Sequence, residues 1–343
     1  MRQLCGRTSL DEQQEKKKMD PIRIMDRRND YDVTNQVHTT DAPAVNSEVN
    51  RIFLELYPNS STHVLNRSFR DLGRLHKGEY PGYRACDTGY HNLQHSLDVT
   101  LAMARLMDGY ERSHHSYRTE ALGAKLFRFG VVTALFHDIG YLRKVNDMHH
   151  KNGAEYTLKH VTRGARFLEE YISRLGMAEL APIASQIIHF TGYERPIAKI
   201  RVPNLTFRLL GNMLGTADII AQMADRCYLE KCRDRLYPEF VEGGLAARND
   251  DDRRAGVVFT SAADLVTKTP KFYKTATVRL NNHLGSAYGY ADKHFGGQNL
   301  YLEEIDKNVH YAVEVAEQHD LSLLRRTLPQ PGEDGAEAPK QTV

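Results

Sequence analysis

The chain has 343 residues, a formal net charge of +2 and 41% hydrophobic residues, enough for one large helical domain with tails and a sizeable core. The near balance of charge gives no global electrostatic reason to expect nucleic-acid binding, and no apolar run approaches the ~20 residues that span a bilayer. The four cysteines (Cys5, Cys86, Cys227, Cys232) form no CxxC pair, and the N-terminus lacks the apolar centre of a signal peptide, so a reduced, cytoplasmic setting is expected.

Residues 1–46 are polar, include the charged run Asp11 to Lys18, and read as a disordered arm. Helical spacing follows. Val49, Ile52, Phe53 and Leu56 share one face, as do Leu97, Leu101 and Ala104. Val131, Val132, Leu135 and Phe136 lead into His137-Asp138. Leu168, Tyr171, Ile172 and Leu175 mark another helix, with Gly176 as its cap. Ile183, Ile187 and Ile188 precede His189, and Leu209, Leu210, Met213 and Leu214 precede Asp218. Glu242 to Gly256 and Gly285 to Gly297 read as long loops, which are commonly functional or disordered. Residues 326–343 read as a disordered tail. The expected fold is all-α, a multi-helix bundle over 47–325 built around a metal site.

The chemistry concentrates in three stretches: Tyr90-His91-Asn92-Leu93-Gln94-His95, Phe136-His137-Asp138-Ile139-Gly140, and Ala217-Asp218-Ile219. His91 and His95, four apart, lie on one helical face. His137 and Asp138 are adjacent, and at a helix end two adjacent side chains can grip one ion or bridge two. A lone histidine on an apolar face is usually a satisfied core residue. His95, His137-Asp138 and Asp218, each on an apolar helix and in this order, are hard to obtain from packing alone. Imidazole nitrogen with carboxylate oxygen and no thiolate suits Zn, Mn, Fe or Mg and points to phosphoester hydrolysis by a metal-activated water. His114, His115, His149 and His150 sit in polar stretches and read as solvated.

The order H…HD…D with Phe136-His137-Asp138-Ile139-Gly140 resembles the HD superfamily of metal-dependent phosphohydrolases, over roughly residues 48 to 320. Tyr90-His91-Asn92-x-x-His95-x-x-x-Val99-Thr100 resembles the opening signature of class I cyclic-nucleotide phosphodiesterases. That resemblance implies His91 as the general acid and His95 as a metal ligand. Asp292-Lys293-His294-Phe295-Gly296-Gly297-Gln298-Asn299-Leu300-Tyr301 resembles the same family's nucleotide-binding helix, implying that Gln298 reads the base edge and Tyr301 packs on it. The middle departs from that family. After the doublet come Tyr141, Leu142 and Arg143 rather than a His followed by Pro-Gly. There the chain is similar to the HD-GYP and general HD branch, with His160 before Gly164-Ala165 and His189 after Ile187-Ile188. This implies a second metal held by His160 and His189, with Asp138 bridging the two ions. The lysine usual after HD-x-G in that branch is replaced by Tyr141, and Gly192-Tyr193-Glu194 only partly echoes its triplet.

The resulting expectation is a phosphodiesterase with two divalent ions (Zn, Mn, Mg or Fe). It would open a 3′,5′-cyclic nucleotide to the 5′-monophosphate through a metal-bridging hydroxide, with His91 and Asp138 catalytic and His95, His137, Asp138, His160, His189 and Asp218 as ligands. The expected partner is a small nucleotide substrate, with no nucleic acid and no membrane; a homodimer is left open. The alternatives are another nucleotide, a cyclic dinucleotide or small phosphoester as substrate, a non-catalytic nucleotide sensor, and oxygenase chemistry at a di-iron pair.

Overall fold

The computed structural model describes residues 27–114, 121–248, 252 and 256–330. Among them the chain is an all-α bundle without a strand; its only β pairings are three isolated bridges. Helix α1 (Ala42–Leu56) has a proline in its first turn and buries Val45, Val49, Ile52 and Phe53 along one stripe. Helix α2 (His63–Lys77) turns Leu65, Phe69, Leu72 and Leu75 inward and stops at Gly78 in the left-handed region, φ 74°. Helix α3 (Leu93–Ser113) is the axis of the molecule. Its 21 residues span about 31 Å, and nearly all of them are buried. Neighbours therefore surround it: α1, α4 (Gly123–Leu135), α7 (Leu205–Ala224) and α12 (Tyr290–His294).

Between α4 and α7 run α5 (His160–Arg174) and the short α6 (Ala181–Ile187). After α7 the chain forms α8 (Tyr228–Lys231), passes through one π-helical turn at Cys232–Leu236, and continues as α9 (Tyr237–Glu242). The π turn is a local widening of a kind often found beside functional sites. Helices α10 (Ala262–Thr267), α11 (Thr269–Asn282) and α13 (Leu300–Gln318) close the remaining side. Helix α7 starts at the Asn204 cap, whose side chain accepts from Phe207 N. Its Gly215 lies so near the Phe190 backbone that a Cβ there would stand 2.5 Å from the carbonyl oxygen. No described helix is long and apolar enough to cross a membrane.

The sequence-based boundaries need correction at both ends. Residues 27–46, expected within the arm, are part of the bundle. Arg27 pairs with Glu304 and donates to the Ala224 carbonyl, Asp32 pairs with buried Arg105 at 2.5 Å, and α1 begins at Ala42. At the other end, Arg326 bonds Asn308, and the Thr327 and Pro329 carbonyls accept from Asn29 and Arg235. Polar composition suggested disorder, but here the polar groups are met by buried partners, which satisfies them without a local apolar pattern. Residues 1–26 and 331–343, His115 and most of 249–255 lie outside the described residues.

Candidate metal centre and its cavity

Three helix ends bring the chemistry together. The first is the start of α3, where the Asn92 side chain accepts from His95 N at 3.2 Å and sets the first turn that carries His95. The second is the end of α4. There His137 donates Nδ1–H to the Ala134 carbonyl at 2.8 Å, which fixes the tautomer and leaves Nε2 free. The third is the start of α5, where His160 donates from Nδ1 to the Thr157 carbonyl at 2.7 Å and likewise keeps Nε2 free. Asp218 arrives from the middle of α7.

These groups converge. His95 Nε2 lies 3.3 Å from Asp138 Oδ2, 3.5 Å from Asp218 Oδ1 and 3.3 Å from His137 Nε2. His137 Nε2 is 3.1 Å from Asp138 Oδ2 and 3.9 Å from Asp218 Oδ1. Ligand atoms about 2.0–2.2 Å from one ion stand about 3.0 Å apart on an octahedral edge and about 3.5 Å on a tetrahedral one. The measured spacings run from 3.1 to 3.9 Å, and His95, His137 and Asp218 stand close enough together to hold one divalent cation, with Asp138 against both imidazoles. Asp138 also presents its other oxygen, Oδ1, to His160 Nε2 at 3.5 Å. One carboxylate therefore faces two sets of imidazoles.

The electrostatics agree. Burial disfavours a charged imidazole, yet the Asp138 and Asp218 carboxylates push His95 up to about 10, and Asp138 raises His137 against its own burial. Burial also resists charge on Asp138, while His137 and His95 hold it well below the usual carboxylate range. The cluster thus demands positive charge at its centre, from protons or from a cation that displaces them. His160 moves the other way: its burial outweighs Asp138 and lowers it.

The backbone around Asp138 has one arrangement available. A Cβ on Gly140 would stand 1.8 Å from the His160 carbonyl oxygen and 2.8 Å from Gly164 N, so only glycine lets the turn lie flush on α5. Arg163 locks that contact, donating Nε to the Gly140 carbonyl at 2.7 Å and Nη2 to the Leu142 carbonyl at 3.0 Å. Glu194 caps α5 from a distant segment, accepting from Val161 N at 2.9 Å and from Thr162 N at 3.1 Å.

His91 stands beside the cluster, not in it. Its Nδ1 donates to Glu239 Oε2 at 2.6 Å, and the backbone N–H groups of Tyr90 and His91 donate to Glu239 Oε1. Glu239 is buried and holds the ring through one hydrogen bond and the backbone beneath it through two. Tyr141 lies flat against the His91 ring (centroids 4.3 Å apart, 16° between planes) and equally against His160 (4.3 Å, 18°).

A cavity of about 370 Å³ opens over these residues. At its metal end are His91, His95, Asp138, His160 and Asp218. Its far wall is Ile219, Leu236, Phe240, Leu245 and Phe272, with the Gln222 amide among them. No lysine or arginine lines it among the described residues.

Three sequence-derived assignments do not reach this cavity. Gln298 is exposed and donates to Glu303 at 2.5 Å. Tyr301 is buried with its Oη accepting from Arg105 Nη1 at 3.2 Å, and Arg105 is ten residues, about 15 Å, along α3 from His95. The pattern that suggested a base site is the start of α13, capped by Asn299 and facing the far half of α3. His189 is buried in the turn Ile188–Phe190 with Nδ1 lacking a hydrogen-bond partner. It is not among the converging groups, and burial, with Arg195 nearby, lowers it to about 4. His150, set aside from the sequence, is bound to Asp147 at 3.1 Å. The sequence reading had missed Glu239, Glu194 and Gln222. Of these only Gln222 had a signal, standing one turn after Asp218 on the same face of α7. No known protein family, curated protein or solved structure matches the chain.

Proposed function

We propose that this chain is a metal-dependent phosphodiesterase whose substrate is a singly charged phosphodiester bearing a flat apolar group, with a 3′,5′-cyclic nucleotide as the first candidate. The carrying observation is the cavity itself, which is lined by His95, Asp138 and Asp218, by the aromatic rings of Phe240 and Phe272, and by no lysine or arginine among the described residues. Mono- and triphosphates carry two or more negative charges and usually meet Arg or Lys clamps. A diester carries one, which this cavity can balance through its cations alone.

His95, His137, Asp138 and Asp218 would hold one ion, with His160 and the second oxygen of Asp138 beginning a second position. Bound divalent cations supply Lewis acidity and a water that ionises near neutral pH. The remaining work belongs to the chain. Glu239 holds Nδ1 of His91, so Nε2 is the nitrogen that delivers a proton to the leaving alkoxide. Phe240, Phe272 and Ile219 offer faces for a base. Gln222 donates Nε2 to Tyr228 Oη at 2.7 Å, which leaves its carbonyl oxygen to accept from the base edge.

The test is a panel of cyclic mononucleotides, cyclic dinucleotides and nucleoside mono- and triphosphates, assayed with Mn, Mg, Zn and Fe beside elemental analysis. Asp138→Ala should abolish turnover and metal retention. His91→Ala should lower kcat about 10²-fold or more with metal retained. Gln222→Ala should raise KM, and Gln298→Ala should change nothing. Turnover of none of these compounds by metal-loaded protein would sink the reading.

A further inference from the structure

Behind the turn that carries Asp138 lies a second depression, of about 110 Å³, between Ile139, Gly140 and Leu142 on one side and the outer face of α5 on the other. Three cations line it, Lys144, Arg163 and Arg166, against a single carboxylate, Glu170. The Lys144 and Arg166 side chains are exposed and make no ion pair or hydrogen bond among the described residues. Arg163 is held in place. Two of its donors are bound to the Gly140 and Leu142 carbonyls, and its guanidinium lies 3.4 Å over the Tyr156 ring. One fixed guanidinium and two unpaired cations around a recess form a ready anion receptor.

We infer that this depression binds a phosphoryl group, as inorganic phosphate or as the phosphate end of a monoester. Size and charge both select that class. A lone water needs ~10–15 Å³ and a drug-sized ligand about 300 Å³ or more, so about 110 Å³ suits a small polyatomic ion and its waters. The three cations exceed the carboxylate by two charges. A phosphate group carries about −1.5 to −2 near pH 7, whereas a carboxylate would balance only half of the excess. An occupant would touch Arg163, whose other bonds hold the backbone next to Asp138, so the site sits one residue layer from the metal centre.

The test is calorimetric titration of the full chain, stripped of metal with a chelator, with inorganic phosphate and separately with methyl phosphate at low ionic strength. Saturable binding of one anion per chain is expected, weakening as sodium chloride is added. The Lys144→Ala/Arg166→Ala double variant changes only exposed side chains and should weaken binding roughly tenfold or more. Glu170→Gln should tighten it, and His95→Ala should leave it unchanged. Equal affinities for the two anions assign the site to the free ion, and tighter binding of methyl phosphate assigns it to the end of a larger ester. Binding that does not saturate, or that is unchanged in the double variant, overturns the inference. The titration needs neither metal nor turnover, so its outcome is independent of the proposed reaction.

Discussion

Asp138 faces His95 and His137 through Oδ2 and His160 through Oδ1, and no other side chain of the centre has that double reach. His160→Ala should therefore remove one part of a two-ion complement, while Asp138→Ala removes both, as read by metal stoichiometry. Glu239 acts at one remove. Glu239→Gln keeps an oxygen for the Tyr90 and His91 amides but loses the charge beside His91 Nδ1. Turnover should fall about 10- to 100-fold with metal content and melting temperature nearly unchanged. A drop in metal content instead would place Glu239 among the structural supports of the cluster.

The elements are joined where side chains have been removed as much as where they have been added. Gly140→Ala sets a methyl group 1.8 Å from the His160 carbonyl, so α5 and the Asp138 turn must part. The expected cost is about 3 kcal/mol in urea unfolding, with weakened metal affinity on the proposed reading, because the candidate ligands Asp138 and His160 ride on the parted elements. Glu194→Ala removes the cap on α5 and should cost only about 1 kcal/mol, while lowering turnover more than stability because His160 is the first residue of that helix. Much at this scale was legible. The apolar runs before His137 and Asp218 announced α4 and α7, and the order of His95, His137-Asp138 and Asp218, each on an apolar helix, pointed to one shared site. Glu239 was not legible, since a lone glutamate in the short helix α9 carries no pattern of its own until the fold brings it to His91, 148 positions back along the chain. Gln298 and Tyr301 misled for the converse reason. Their spacing is a local pattern, but their destination was set by Arg105, a buried cation that Tyr301 helps to satisfy.

For the molecule as a whole, the segment 27–41 acts as a strap across α3, and its central fastening is Asp32 with Arg105. Burial opposes the Asp32 charge, but Arg105 and the Val37 amide hold its carboxyl down at about 2, below the ordinary 3.8. A carboxyl whose pKa is lower folded than unfolded contributes stability that is complete above the unfolded value. That stability is lost as pH falls through the folded one, and here it amounts to about 2 kcal/mol. Acid titration followed by circular dichroism should therefore show loss of stability between about pH 4 and pH 2. Asp32→Asn should be less stable at neutral pH and show a flatter acid limb. An unchanged limb in that variant would assign acid sensitivity to other groups.

The absence of lysine and arginine from the described walls of the large cavity has a kinetic consequence. Before any cation enters, protons on His95 and His137 only offset Asp138 and Asp218, so the centre has no positive charge to spare for the phosphodiester of the proposed reaction. On that reading metal should add first and ester second, with release in reverse. In equilibrium dialysis a non-hydrolysable cyclic nucleotide should be retained by metal-loaded protein and pass freely through the chelated form.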